Sequence, residues 1–256
     1  MLGTNGTIVL FVMVGLLGIV IGSFLNVCIY RIPKKEDIAV ERSHCMHCGH
    51  VLQWYELIPL FSFLIQGGKC RSCKKKISWQ YPIVEALNGL LWIAVLLVHG
   101  LQWETILFCL CTSVLIVITV IDERTMEIPF GCNVFIAVLG VARVIIDYPH
   151  WYEYVIGFFT VSLFFLLIVW ITKGRGMGGG DVKLMAAAGL LLGWKAIILA
   201  MMIGCVLGSV IHICKMIFNK KKEHVLAFGP YLCAGIYLTI LFGEPIIRWY
   251  ISLFQF

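Results

Sequence analysis

An all-α polytopic membrane protein, with about eight transmembrane helices and one small polar insert, is the fold class this sequence predicts. Three observations predict it. Of the 256 residues, 61% are hydrophobic and only 13% are charged, against about 25% charged in an ordinary soluble domain. The apolar residues gather into runs long enough to cross a bilayer. The one long polar stretch, residues 31–81, lies between the first two of those runs.

The first run, 8–30, reads as a retained helix and not as a cleaved signal. No basic stretch precedes it, it is too long, and RIPKK follows as a stop-transfer flank. Further runs cover 83–98, 105–121, 128–146, 154–172, 196–218 and 225–243. A shorter run, 182–194, is marginal alone, and counting it gives eight spans. Helices satisfy their own backbone groups in lipid, and no segment alternates as a membrane barrel strand does. The expected organisation is a first helix over 1–30, an insert over 31–81 and a helical core over 82–256.

Eight spans put both termini on one side. Of the 20 Lys and Arg, 17 fall in segments 31–81, 122–127, 173–183 and 215–224, and Arg143, Lys195 and Arg248 are left over. The positive-inside rule assigns those segments to the cytoplasm and both termini to the outside. The formal net charge of +6 therefore reads as topology. Membrane lipid is the expected surroundings, and no nucleic-acid partner is expected, because aromatic and basic residues do not interleave.

Within the insert, CMHC (Cys45, Cys48) and CRSC (Cys70, Cys73) are separated by 21 residues. Two close thiolate pairs at such a separation can wrap one tetrahedral zinc ion. The cytosol is reducing, which argues against two disulfides. A segment of this size has too small a core to be secure without a staple. The insert is thus expected to be zinc-ribbon-like, with the zinc structural. Reduced thiols are the bland alternative, and His44, His47 and His50 stand near enough to substitute as ligands. The other seven cysteines lie in apolar runs and read as small core residues.

The chain has four aspartates. Asp37 is in the insert, and Asp147 sits at an outward end beside YPHWY. Asp122 and Asp181 fall at membrane boundaries on the inward side, two spans apart, so topology alone brings them to a common depth. Ionisable groups in spans usually face a bundle interior or a wet cavity. Two carboxyls that approach closely cannot both ionise, so one keeps a proton and the pair supplies a base and an acid. Hydrolysis of an amide by an activated water needs that combination. The glycines before Asp181, Gly176, Gly178, Gly179 and Gly180, would admit a substrate backbone without Cβ clashes. An ordinary loop with an N-capping Asp181 explains the stretch equally well when it is taken alone. A dinucleotide reading of Gly174, Gly176 and Gly179 lacks the strand it requires.

Five motifs in order resemble the bacterial prepilin peptidases. They are GSFLNVCIYRIP (22–33), the two cysteine segments, IDERTMEIP (121–129), GMGGGDVKLMAAAG around Asp181, and FGPYLCAG (228–235). The resemblance implies that Asp122 and Asp181 are the catalytic pair of a G-x-G-D membrane aspartyl peptidase, and that Cys45, Cys48, Cys70 and Cys73 bind zinc. It implies cleavage of prepilins or pseudopilins after the glycine that ends a short basic leader. It also implies N-methylation of the new terminus with S-adenosylmethionine as methyl donor, since members without the cysteine insert are peptidases only. Glu85 is a candidate polar group for that second activity, or else an interfacial carboxylate paired with a lysine of the insert. Asn26 is a candidate helix–helix hydrogen bond. Lys183 reads as a membrane anchor or a modulator of the site. One departure stands out: Phe130 follows Pro129, where the family often has an acidic residue. A peptidase without methylation, an ion-coupled transporter and an assembly scaffold are the other readings. The transporter reading lacks any internal repeat.

Overall fold

A computed structural model describes residues 4–38, 40–174, 176–218 and 227–253. Nine helices follow in order among them: α1 (Thr4–Arg31), α2 (Phe61–Ile65), α3 (Gln80–His99), α4 (Trp103–Thr125), α5 (Phe130–Ile146), α6 (Trp151–Ile171), α7 (Gly179–Leu192), α8 (Trp194–Phe218) and α9 (Gly229–Ser252). The described residues hold no β-strand, only two isolated bridges inside the insert. Six helices, α1, α3, α4, α6, α8 and α9, are long and apolar enough to cross a membrane, and α5 is a shorter apolar helix. The chain is a multi-pass membrane protein. The last helix differs from the expected run: it starts at Gly229 and continues through Pro245 to Ser252, with a Glu244–Arg248 ion pair on its final turns. Residues 219–224 of the basic segment 215–224, residues 225 and 226 of the last run, and Arg175 lie outside the described residues.

The chain divides into two compact units, Met1–Leu101 and Gln102–Phe256. In the first, α1 and α3 run antiparallel and touch along small residues. Gly15 faces Ile93, Gly18 faces Gly89 and Gly22 faces Glu85, where an added Cβ would stand 2.7 Å from the Glu85 Cα. The large residues of α1, among them Val12, Leu16, Val20 and Phe24, point away and are more than half exposed. This follows from lipid as solvent. Lipid tails suit Leu as well as protein does, so close backbone approach and interhelical hydrogen bonds hold the pair. The fully buried Asn88 donates to the Gly18 carbonyl at 2.7 Å. Asn26 donates to the Tyr81 carbonyl at 3.2 Å and accepts from Gln80 at 3.3 Å, so it is a helix–helix hydrogen bond.

In the second unit α7 is wrapped by α5, α6 and α8. Leu184, Met185, Ala187, Ala188 and Leu191 are buried, which explains the run AAAG: helices close in on every side and leave room only for small residues. Gly157 of α6 and Gly189 of α7 press backbone against backbone. α7 stops at Gly193, whose φ of +84 no other residue adopts easily, and α8 begins at once. Five of the seven cysteines expected in the core are buried, but Cys205 and Cys214 are exposed on α8. The long apolar run could not reveal which of its faces turns to lipid.

At the end of this unit remote from Asp122, polar groups tie the helices together. Arg143 pairs with Glu104 and lies over the rings of Phe108 and Tyr154. Asp147 accepts from Tyr154 at 2.6 Å and pairs with His150 at 2.8 Å. Burial pushes the Asp147 carboxyl up, but these two hydrogen bonds and the charges of His150 and Arg143 outweigh it and hold the group below its ordinary value. A depressed carboxyl contributes stability above the unfolded value and loses it as pH falls through the folded one. Asp147→Asn is therefore expected to cost about 1 kcal/mol near neutrality. Its Tm deficit against wild type should shrink below about pH 4, which a thermal melt series in detergent would show.

Candidate active site

Asp122 occupies the last turn of α4 and is 5% exposed. The helix ends just beyond it because Met126 turns left-handed (φ 56, ψ 29) and returns its N–H to the Asp122 carbonyl at 2.8 Å. Glu127, Ile128 and Pro129 then lead into α5, with Pro129 extended at its N-cap. Asp181 is the third residue of α7 and is 7% exposed. Gly178, not Asp181, is the N-cap, so the capping reading of this aspartate does not hold.

Each carboxylate meets the start of a helix. Asp122 Oδ2 accepts the N–H of Gly229, the first residue of α9, at 3.0 Å. The Asp181 carboxylate lies back over Gly178, whose backbone N–H acts on it. Unpaired N–H groups and the helix dipole at an N-terminus favour an anion. The two carboxyls are near enough to act on each other electrostatically, and both act on the buried thiol of Cys233 in α9. Ile128 wedges between their supports: an added Cβ would meet its side chain at 3.0 Å from Gly180 and at 3.3 Å from Gly229.

The four glycines singled out before Asp181 differ in what surrounds them. Gly178 adjoins the Asp181 carboxylate, Gly179 has open space where a Cβ would stand, and Gly180 is packed on Ile128. Gly176 lies against Thr172 and donates to its hydroxyl at 3.2 Å. Lys183 is exposed, with its ammonium 5.3 Å from the centre of the Phe130 ring. The Phe130 ring thus receives the Lys183 ammonium in a cation–π contact.

Gly229 is the site residue that sequence reasoning passed over. An added Cβ there would stand 2.6 Å from Asp122 Oδ2. The available signal was Gly229-Pro230 opening a helix, in a motif noted but given no role. Gly229→Ala is expected to cost about 1–3 kcal/mol through overpacking, read as a lower Tm. Gly131→Ala, with nothing within 4 Å of the added Cβ, should leave Tm unchanged.

In the first unit, the Sγ atoms of Cys45, Cys48, Cys70 and Cys73 all lie within 4.8 Å of one another and could hold a metal ion. Among the described residues no histidine joins them. His50 pairs with Glu56 at 3.2 Å, and His44 contacts the Arg42 carbonyl at 3.3 Å. The two cysteine pairs sit on matching turns. Cys45 N–H donates to His50 O and Cys70 N–H to Lys75 O, both at 2.8 Å. The bridges His44–Val51 and Lys69–Lys76 close the two turns alike. Gly49 takes φ +71 in one turn, and Lys74 takes φ +59 at the matching place in the other. The Gln53 N–H, with His50 beside it, holds the Glu56 carboxyl below its ordinary value. The buried guanidinium of Arg31 pins the start of the insert by donating to the carbonyls of Asp37 and Glu41 at 2.9 and 3.0 Å. Glu85 is buried; it accepts the Leu60 N–H at 2.8 Å and bonds with the Ser23 side chain, and no lysine of the insert pairs with it. One metal ion per chain is expected by elemental analysis, and Cys48→Ser or Cys73→Ser should abolish it and expose the insert to protease.

Comparison with known proteins identifies the family. Residues 16–99 match the Bacterial Peptidase A24 N-terminal domain, and residues 109–213 match the Type IV leader peptidase family. A prepilin leader peptidase/N-methyltransferase of Bacillus subtilis is 35% identical over 92% of this chain and 96% of its own length. Proteins of the same name from Aeromonas hydrophila and Pseudomonas aeruginosa are 32% and 30% identical, over 95% and 93% of this chain and 94% and 92% of their own lengths. No solved structure matches. Two family models in order along the chain, and relatives matched across nearly all of it, place this chain in the type IV leader peptidase family.

Proposed function

We propose that the protein is a membrane aspartyl endopeptidase that removes the basic leader of prepilins or pseudopilins after its terminal glycine, and then N-methylates the new N-terminus. The observation that carries the reading is the approach of two buried carboxyls, Asp122 against the start of α9 and Asp181 in the first turn of α7, with Ile128 packed on both helix starts, in a chain of this family. In this reading one carboxylate takes a proton from water as the water oxygen attacks the scissile carbonyl carbon. The other donates its proton to the carbonyl oxygen. When the tetrahedral intermediate collapses, the proton taken from water passes to the leaving amine, and no group outside the pair is needed. The open side of Gly179 and the small residues beside it leave room for an extended backbone.

Four of the Lys and Arg residues counted inward, Arg124, Lys173, Arg175 and Lys183, stand in the segments 122–127 and 173–183 that carry the two aspartates. By the positive-inside rule, the chemistry belongs at the cytoplasmic face of the inner membrane and the termini outside. The metal is zinc in this reading. A tetrahedral Zn–S₄ site has sulfur–sulfur edges of about 3.8 Å, close to the 3.9 Å of Cys45–Cys73 and the 4.0 Å of Cys48–Cys70. Four thiolates leave no open position, so zinc staples residues 31–81 as a folded insert between the first helix and the core over 82–256. S-adenosylmethionine, as cosubstrate, would supply a methyl group to the freed amine.

The test is cleavage of a prepilin by the purified protein in detergent, followed by mass spectrometry with the methyl donor present. Asp122→Asn and Asp181→Asn should each lower cleavage by about 10³-fold or more, with Tm and helix content retained. A gain of one methyl on the cut product reports the second activity. Folded variants that still cleave at the wild-type rate would sink the aspartate pair and raise the transporter and scaffold readings.

A further inference from the structure

We infer that the carboxamide of Asn133 is a binding group for the backbone of the substrate segment that is opened for cleavage. This rests on the peptidase reading and adds to it a residue outside the aspartate pair. Asn133 is the fourth residue of α5 and is 4% exposed, and neither its Nδ2 nor its Oδ1 has a hydrogen-bond partner. Burying a bare amide costs several kcal/mol in a medium that offers no water. A group of that kind survives when it is used. Asn88, the comparable buried asparagine of α3, is satisfied by the Gly18 carbonyl.

Position says what would use it. Ile128, just before α5, packs on Gly180 at the start of α7, and Gly140 of α5 packs on Leu190 near the end of α7. The two helices therefore run parallel from the same end of the bundle. Asn133 lies on the buried face of α5 with Ile136 and Gly140, seven residues before the Gly140 contact and so on its side of the helix. Interpolating between the two contacts puts Asn133 level with about Leu184, roughly one helical turn beyond Asp181. Ile128 also reaches Gly229, the donor to Asp122. The bare amide thus sits one turn deeper than the carboxyls, on the helix that begins beside them.

The chemistry matches a peptide group. A carboxamide offers an acceptor and a donor on one edge, and the N–H and C=O of one residue in an extended backbone point to one side at a matching spacing, so the two can form a pair of hydrogen bonds. To reach the carboxyls a peptide bond must leave any helix it belongs to, and each residue unwound in lipid orphans an N–H and a C=O. The enzyme's orphaned amide and the substrate's orphaned peptide group answer each other. Each is costly alone and satisfied in the complex.

The test pairs a variant with a substrate change. Asn133→Leu keeps the size and removes the amide. As the bare polar group disappears, Tm should rise or hold, while kcat/KM for a full-length prepilin falls about ten- to thirtyfold. Prepilins carrying an ester in place of one amide are then scanned across the residues flanking the cut. With wild type, one ester position should cost a similar factor. With Asn133→Leu that same ester should cost nothing more, because the interaction is already gone. Asn133→Gln, which can still pair, should recover part of the rate. If the ester and Asn133→Leu losses multiply independently at every position, the amide does not touch the substrate and the inference fails. It fails equally if Asn133→Leu lowers Tm and leaves kinetics unchanged, since the amide is then structural. A wild-type protein that never cuts overturns the peptidase reading itself, whereas active wild type without coupling overturns this inference alone.

Discussion

A carboxylate inside an apolar bundle has no water to solvate it, so the chain must bring donors to it. In this protein the donors are backbone N–H groups at helix starts, the only N–H groups a helix leaves unpaired on its own. The rest of the second unit follows from that constraint. Asp122 ends α4 where α9 begins, and the first residue of α9 must be glycine because the carboxylate occupies the place of its Cβ. Asp181 stands in the first turn of α7, so that it folds back over its own N-cap. Ile128 spaces the two helix starts by packing on a glycine in each. The packing that positions the carboxyls also buries them.

The same lack of water shapes the helix contacts. In a soluble core, large side chains meet because water drives them together. Here Val12, Leu16 and Val20 gain nothing by leaving lipid, and α1 instead turns Gly15, Gly18 and Gly22 toward α3. Backbones in contact allow a side-chain amide to reach a main-chain carbonyl across the interface, as Asn88 does to Gly18. Gly157 against Gly189 plays the same part for α6 and α7. Glycine-rich contacts and interhelical amides are two aspects of one solution.

Much of this was legible in the chain. Runs of apolar residues announced the long helices, since length and hydropathy decide what a bilayer accepts. The rarity of aspartate in those runs isolated Asp122 and Asp181, and the spacing of Cys45, Cys48, Cys70 and Cys73 announced a cluster. What stayed hidden depends on neighbours distant in sequence. The role of Gly229 exists only because Asp122, 107 residues earlier, arrives beside it. The isolation of Asn133 is a property of what fails to pack near it, and no local pattern encodes that. Exposure of Cys205 and Cys214 depends on which side of α8 meets other helices. Lys74 at a positive φ was hidden for a different reason. The matching position in the first turn is Gly49, and the cysteine geometry is strong enough to impose the turn on a lysine at some cost in strain.

The length of α7 links the packing to the depth of the site. Its 14 residues span about 21 Å, well short of a hydrocarbon layer of about 30 Å. At its far end Gly193 stops the helix, and the charged pair of Lys195 with Glu153, 3.6 Å apart, follows at once. Such a pair belongs near a polar boundary. Counting back from there, a hydrocarbon layer of about 30 Å would set Asp181 several ångströms below the opposite surface. A full-length span would have carried the aspartate out into the headgroups, where water would solvate it and no special chemistry would be needed. Shortening α7 draws the carboxyl into the bundle, and the glycines before it supply the backbone that must follow it down. In the proposed function those glycines and the lone aspartate form one device: a short helix that starts inside the bundle, where its carboxyl can meet a substrate backbone.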